Sequence, residues 1–186
     1  MRKMLFVLCV LFMVTIPVLA QTDDAPEIME WGELEKTFNE EGFTGEFHEF
    51  DEIGLKLLVP GEMTERDLSD ALKQNGYLGY FRNDDASMCL TVFWAKLNAP
   101  QTPAEFAKTR AEQNADAEIV GFYQINGIDA VVLSQPNSDP AMDWLICILD
   151  GPEENFLTFI QLNPSSTEKL VTLSQFIFGS VQSLEN

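Results

Sequence analysis

His48 is the single histidine in this chain of 186 residues, so a Ser–His–acid site would have to be built on it. No other side chain type offers a base with an unperturbed pKa near neutrality. It stands in Phe47-His48-Glu49-Phe50, within a strand-like alternation, and no nucleophile elbow occurs elsewhere in the chain. We read it as a surface histidine between aromatic neighbours and assign no catalytic residue. The thirty Asp and Glu residues guarantee carboxylate pairs by number alone. A glycoside hydrolase also needs an aromatic sugar cleft and one carboxyl of raised pKa, and nothing local marks either. A carboxylate-based hydrolase is therefore the least supported of three functional readings.

Metal and phosphate chemistry fare no better. Asp51-Glu52, Asp84-Asp85 and Asp150 with Glu153-Glu154 are acids of turns that could hold Ca²⁺ weakly. None has the alternating ligands and closing Glu of an EF-hand loop, so solvated turns are the expectation. Gly76-Tyr77-Leu78-Gly79 lacks the spacing and the following helix of a phosphate loop. With no CxxC and no Cys/His spacing suited to zinc, no metal site and no cofactor are expected. Cys89 and Cys147 lie in the apolar runs MCLTVFW and WLICILD. They can be paired as a disulfide or serve as two small hydrophobes. A bridge needs their Cα atoms within about 7 Å, and the sequence leaves both states open.

The elements that must position any site come next. Residues 1–20, MRKMLFVLCVLFMVTIPVLA, have a basic start, an apolar run and a small residue at the end. This is the layout of a signal peptide cleaved after Ala20. The run 4–19 is shorter than the ~20 residues of a spanning helix, so no membrane span is expected after cleavage. Cleavage removes Arg2 and Lys3 and takes the formal charge from −19 to −21. Such a chain repels nucleic acid and anionic lipid. A secreted or periplasmic protein follows.

Residues 21–42 are expected to be an acidic helical segment, and residues 43–186 a single α+β domain. Ile28, Trp31, Leu34 and Phe38 form a helical stripe from Pro26 to Glu41. Twelve acids fall between Asp23 and Glu52, opposed only by Lys36. That bias marks a solvated face or a docking surface for something basic. Further on, Phe43–Pro60 reads as two strands joined near Asp51–Gly54, and Thr64–Gln74 as a short helix. Tyr77–Asn83 and Met88–Leu97 read as a hairpin whose second strand is apolar on both faces, hence central. Thr102-Pro103-Ala104-Glu105 is a capping box with Pro at the first helical position.

The stretch Glu118–Asn163 holds four apolar runs closed by turn residues. Asn126-Gly127 is the strongest hairpin signal among them, since both turn positions need φ > 0. Gly151–Asn155 gives a second hairpin, and Gln135–Pro140 a loop. Ser165 then caps a last helix along Leu170, Leu173, Ile177, Val181 and Leu184. The count is about eight strands and four helices. Hairpin connections make the sheet mostly antiparallel and the class α+β, with helices on one face and helices or long loops on the other.

The order of LKLLVP, MCLTVFWAKL, TPAEFAKTRAEQ, FYQINGIDAVVLS and the closing SSTEKLVTLSQFIFGSVQSL resembles the Mog1/PsbP-like fold over residues 43–186. It also resembles short secreted bacterial proteins. The resemblance implies an α/β/α sandwich, and a protein-binding subunit rather than an enzyme. The leading expectation is thus an exported, non-catalytic module that binds another protein through an apolar or acidic patch near the N-terminal helix, around Trp31 and Phe38. The second is a binder of a small apolar ligand between sheet and helix.

Overall fold

The computed structural model describes residues 25–135, 144–164 and 168–184. In chain order these are β1 (Glu27–Met29), α1 (Trp31–Glu40), β2 (Gly45–Phe50), β3 (Leu55–Pro60), β4 (Thr64–Glu65) and α2 (Asp70–Gln74). They continue as β5 (Tyr77–Arg82), β6 (Met88–Lys96), α3 (Pro103–Gln113), β7 (Glu118–Ile125) and β8 (Ile128–Gln135). The last are β9 (Trp144–Asp150), β10 (Phe156–Pro164), α4 (Glu168–Gly179) and β11 (Gln182–Ser183).

The main sheet has eight strands in the order β1-β7-β8-β9-β10-β6-β5-β4, antiparallel except where β1 pairs with β7. A second sheet of three strands, β11-β3-β2, packs over one face together with α1 and α4. We call this the inner face; α3 covers part of the outer one. The class is α+β, and the architecture is that of the Mog1/PsbP-like fold.

Alternation along each strand sorts side chains between the two faces. Leu90, Val92, Cys147, Leu149, Ile160 and Leu162 point inward onto Leu57, Phe176 and Ile177. Val131, Leu133, Ile148, Leu157 and Phe159 point outward, toward Ala107 and Phe106 of α3. Strand β6 is flanked by β10 and β5, as its two apolar faces predict. Asn126 (φ 47°) and Gly127 (φ 83°) make the β7–β8 turn, and β9–β10 is the second hairpin. Helix α3 has both halves of its capping box: Glu105 N donates to Thr102 Oγ1 at 3.2 Å, and Thr102 N to Glu105 Oε2 at 2.9 Å.

Three helices depart from the sequence pattern, each because a tertiary partner claims its end. The stripe that predicts a helix from Pro26 is one only from Trp31, since Glu27–Met29 instead pair in parallel with Tyr123–Ile125. Ile28 is consequently 67% exposed. Glu30 supplies no side-chain cap; Asn126 Oδ1, 95 residues away, accepts from Trp31 N at 2.7 Å. The helix expected over Thr64–Gln74 is confined to Asp70–Gln74, where Ser69 caps it, while Thr64 and Glu65 pair with Arg82 and Phe81.

The last helix ends at Gly179 rather than reaching Leu184. There Ser180 Oγ accepts from Leu58 N at 2.8 Å and donates to Ile177 O at 2.7 Å, turning the chain so that Gln182 and Ser183 pair with β3. A Cβ at Gly179 would collide with Leu34 of α1, so glycine permits that approach. The separate small sheet is a further departure from the expected single sheet. Residues 25–42 are integrated with the domain, since β1 joins the main sheet and α1 packs on α4. The expected signal peptide, residues 136–140 of the expected loop and the expected Ser165 cap lie outside the described residues.

Candidate binding surface

Trp31 and Phe38, the residues from which a surface patch is expected, are 8% and 4% exposed. Trp31 meets Phe47 edge-on at 5.6 Å, and Phe38 stacks with Phe43 at 5.6 Å and meets Phe176 at 5.4 Å. Helical spacing brought them inward, so both are core residues and an apolar patch made of these two side chains is not on the surface. The acids of α1, Glu33, Glu35 and Glu40, remain exposed.

Cys89 and Cys147 are free thiols. They sit on β6 and β9 with β10 between, and Cys147 faces inward beside Ile160 while Cys89 faces outward beside Asn163. Two strand spacings of about 4.8 Å already exceed the reach of a disulfide. Burial pushes the Cys147 thiol up to about 12. His48 is half-buried, edge-on to Phe81 at 4.9 Å. It lines an open cleft of about 390 Å³ with Thr44, Glu46 and Met63, and no Ser or Cys lines that cleft. Another open cleft of about 300 Å³ lies between Trp31, Asn126 and Gln182. Among the described residues no three His, Cys, Asp or Glu side chains gather as metal ligands, and no helix is long and apolar enough to cross a membrane.

What the sequence reading missed is the outer face of β10, β6 and β5. Successive rows across these strands change character. The first is apolar: Phe159 stacks on Phe93 at 5.0 Å, Phe93 on Tyr77 at 5.1 Å, and Phe106 of α3 abuts Phe159 at 5.4 Å. These rings fill the space between sheet and helix by packing on one another. In the next row Gln161 opposes Thr91, which opposes Tyr80; in the last, Asn163 opposes Cys89, which opposes Arg82. All six side chains are half-buried. Helix α3 lies mainly over β7, β8 and β9 and meets β10 through Phe106 on Phe159, in the apolar row; among the described residues it does not extend over the two polar rows.

Tyr80 Oη donates to Cys89 Sγ at 3.6 Å. That bond, with burial and the neighbouring thiol, raises the phenol above its usual 10.0, while Arg82 pulls the other way. The Nε atoms of Arg66 and Arg82 are buried without a hydrogen-bond partner. Gln161 Nε2 donates to Asn163 Oδ1 at 3.4 Å. The arrangement is a plane of donors and acceptors beside an aromatic stack. A signal for it was present, because polar residues replace apolar ones at every second position in Phe159-Ile160-Gln161-Leu162-Asn163 and in Tyr80-Phe81-Arg82.

No family model matches the chain, and no curated protein is similar to it. Among solved structures it is similar to the cyanobacterial PsbP protein CyanoP of Synechocystis sp. PCC 6803, with a TM-score of 0.51 at 16% identity, over 74% of this chain and 91% of that one. It is also similar to the Ran-binding protein Mog1p of Saccharomyces cerevisiae, with a TM-score of 0.50 at 10% identity, over 77% of this chain and 97% of that one. At such identities the likeness establishes the fold.

Proposed function

We propose that this chain is an exported, non-catalytic module that docks a protein partner on the outer face of β5, β6 and β10. The observation that carries the reading is the preformed plane of Tyr80, Thr91, Gln161 and Asn163, half-buried and not covered by α3. A rigid strand surface presents polar groups at fixed spacing, so a partner finds them without ordering a loop first. Mog1p, of the same fold, is a Ran-binding protein, which shows that the fold accommodates such a role. Export rests on the character of residues 1–20.

The test is recovery of the tagged chain from the cells that make it, followed by native mass spectrometry. We expect a stoichiometric protein partner with the natural sequence and its loss with Thr91→Trp and Gln161→Trp, which fill the plane. A partner retained by both variants would reject the outer face. A co-purified small molecule in place of a protein would favour the apolar-ligand reading.

A further inference from the structure

We propose that the Arg66–Tyr80–Arg82 end of this face receives an acidic peptide segment, whose carboxylates pair with the two guanidinium groups; this rests on the protein-binding reading above. The strands bring the residues together from opposite sides of α2 and its following turn. Thr64 pairs with Arg82, and Arg66 N donates to Tyr80 O at 2.8 Å, so Arg66, Tyr80 and Arg82 share the outer face at the edge of the sheet.

Both Nε atoms are buried and without a partner. A guanidinium carries five N–H donors in a fixed fork, and a buried donor left unmade is costly. Elsewhere the exposed Arg110 finds a partner for its Nε, directing Nε and Nη2 onto Gln135 Oε1 at 3.2 and 3.1 Å. Among the described residues, the ion pair at the proposed site joins Arg66 Nη2 to Asp84 Oδ1 at 4.0 Å, with the Asp84 side chain fully exposed. That contact is too long and too solvated to occupy the fork. The two oxygens of a carboxylate can accept end-on from the two Nη groups of a guanidinium, and the Arg66 side chain is 37% exposed. Thr91, Gln161 and Asn163 continue the plane inward, with groups able to bond the peptide backbone of the same segment.

Charge selects the occupant. On a chain of formal charge −19, a basic partner is attracted to many places, whereas an acidic segment is repelled from most of the surface. A paired arginine site therefore fixes its position and register more than its affinity.

The experiment is fluorescence anisotropy of a labelled Glu/Gly peptide and its Gln/Gly counterpart, titrated with the protein bearing its natural N-terminus. We expect the Glu peptide to bind at least about tenfold more tightly, a preference that added salt screens. R66Q/R82Q should abolish it, and R82K alone should lose part of it, since the charge remains but the fork does not. D84N, which removes the internal competitor, should tighten binding about twofold, a change expected for a weak exposed pair. The melting temperature and amide spectra of each variant verify the fold.

Equal binding of the two peptides, or a preference unchanged in R66Q/R82Q, overturns the proposal. So does inorganic phosphate perturbing these arginines where the peptide does not, or a dimer of this chain that R66Q/R82Q dissolves. If the peptide fails while Thr91→Trp still breaks the native complex, the binding module stands and only the acidic occupant is lost.

Discussion

Strand β10 shows two kinds of surface on one stretch of backbone. Its inward residues Thr158, Ile160 and Leu162 have no exposed area, whereas Gln161 and Asn163, interleaved with the last two, are half-exposed. Among the described residues, the inner face lies under a second sheet with α1 and α4, whereas on the outer face α3 lies over β7, β8 and β9. The covered face therefore holds the fold together. On the partly covered face, Val131, Leu133, Ile148, Leu157 and Phe159 form a second core under α3, and only the polar rows beyond it are free to vary, which is where a binding surface can be built.

The sharpest way to break this comparison is a pair of truncations on adjacent residues. Leu162→Ala leaves a cavity among Leu90, Leu145 and their neighbours and should cost about 2–5 kcal/mol in urea unfolding. Gln161→Ala should stay within about 0.5 kcal/mol of the native chain. Equal costs would mean that the outer face is as structural as the inner one.

A second test concerns the long-range tie at Asn126. Its side chain accepts from Trp31 N and donates to Gly179 O at 3.0 Å and to Val181 O, while its own backbone sits at φ 47°. Asn126→Ala removes those bonds and strains the turn, so a loss of about 2 kcal/mol is expected. Hydrogen exchange should locate the loss in β1, the start of α1 and the end of α4. A loss spread evenly over the sheet would contradict the tie.

The cysteines give the smallest and most specific contrast. Cys89 on the outer face should react with a thiol reagent in the native protein, and Cys147 only after unfolding. Burial holds Cys147 protonated up to about 12, against an ordinary 9.0. Its unfolded-state thiol therefore ionises first as pH rises. The stability from burying the neutral thiol is complete below about 9 and declines between there and about 12, by at most about 1.4 kcal/mol per pH unit. Cys147→Ala should remove that component of the slope, measured by urea unfolding across the same range. An unchanged slope would remove Cys147 as its source.

Much of this protein was legible in the chain, wherever local chemistry and tertiary context agree. Asn126-Gly127 specified its turn because few other residues tolerate positive φ, and Thr102-Pro103-Ala104-Glu105 specified the start of α3 because every bond of the box is local. The alternation in MCLTVFW announced a strand packed on both sides, and the order of elements announced the fold. The ends of α1 and α4 could not be read this way. Trp31 N is capped by a residue 95 positions away, and Ser180 is turned by Leu58 N, 122 positions away, so no local window contains the cause.

The same holds for function. A helical stripe says that Trp31 and Phe38 share a face, and only packing against Phe43, Phe47 and Phe176 decided that the face is internal. Two cysteines in strands allow a bridge, and only the register with β10 between them put the thiols on opposite faces. Arg66 and Arg82 are unremarkable in the sequence, separated by a helix and a turn; they form a site because β4 folds back on β5 and buries both Nε atoms at its edge. Composition and periodicity determine which residues are apolar and how they alternate. Which face is covered, and therefore which polar residues are left to bind, depends on contacts between distant segments, and those exist only once the sheet has formed.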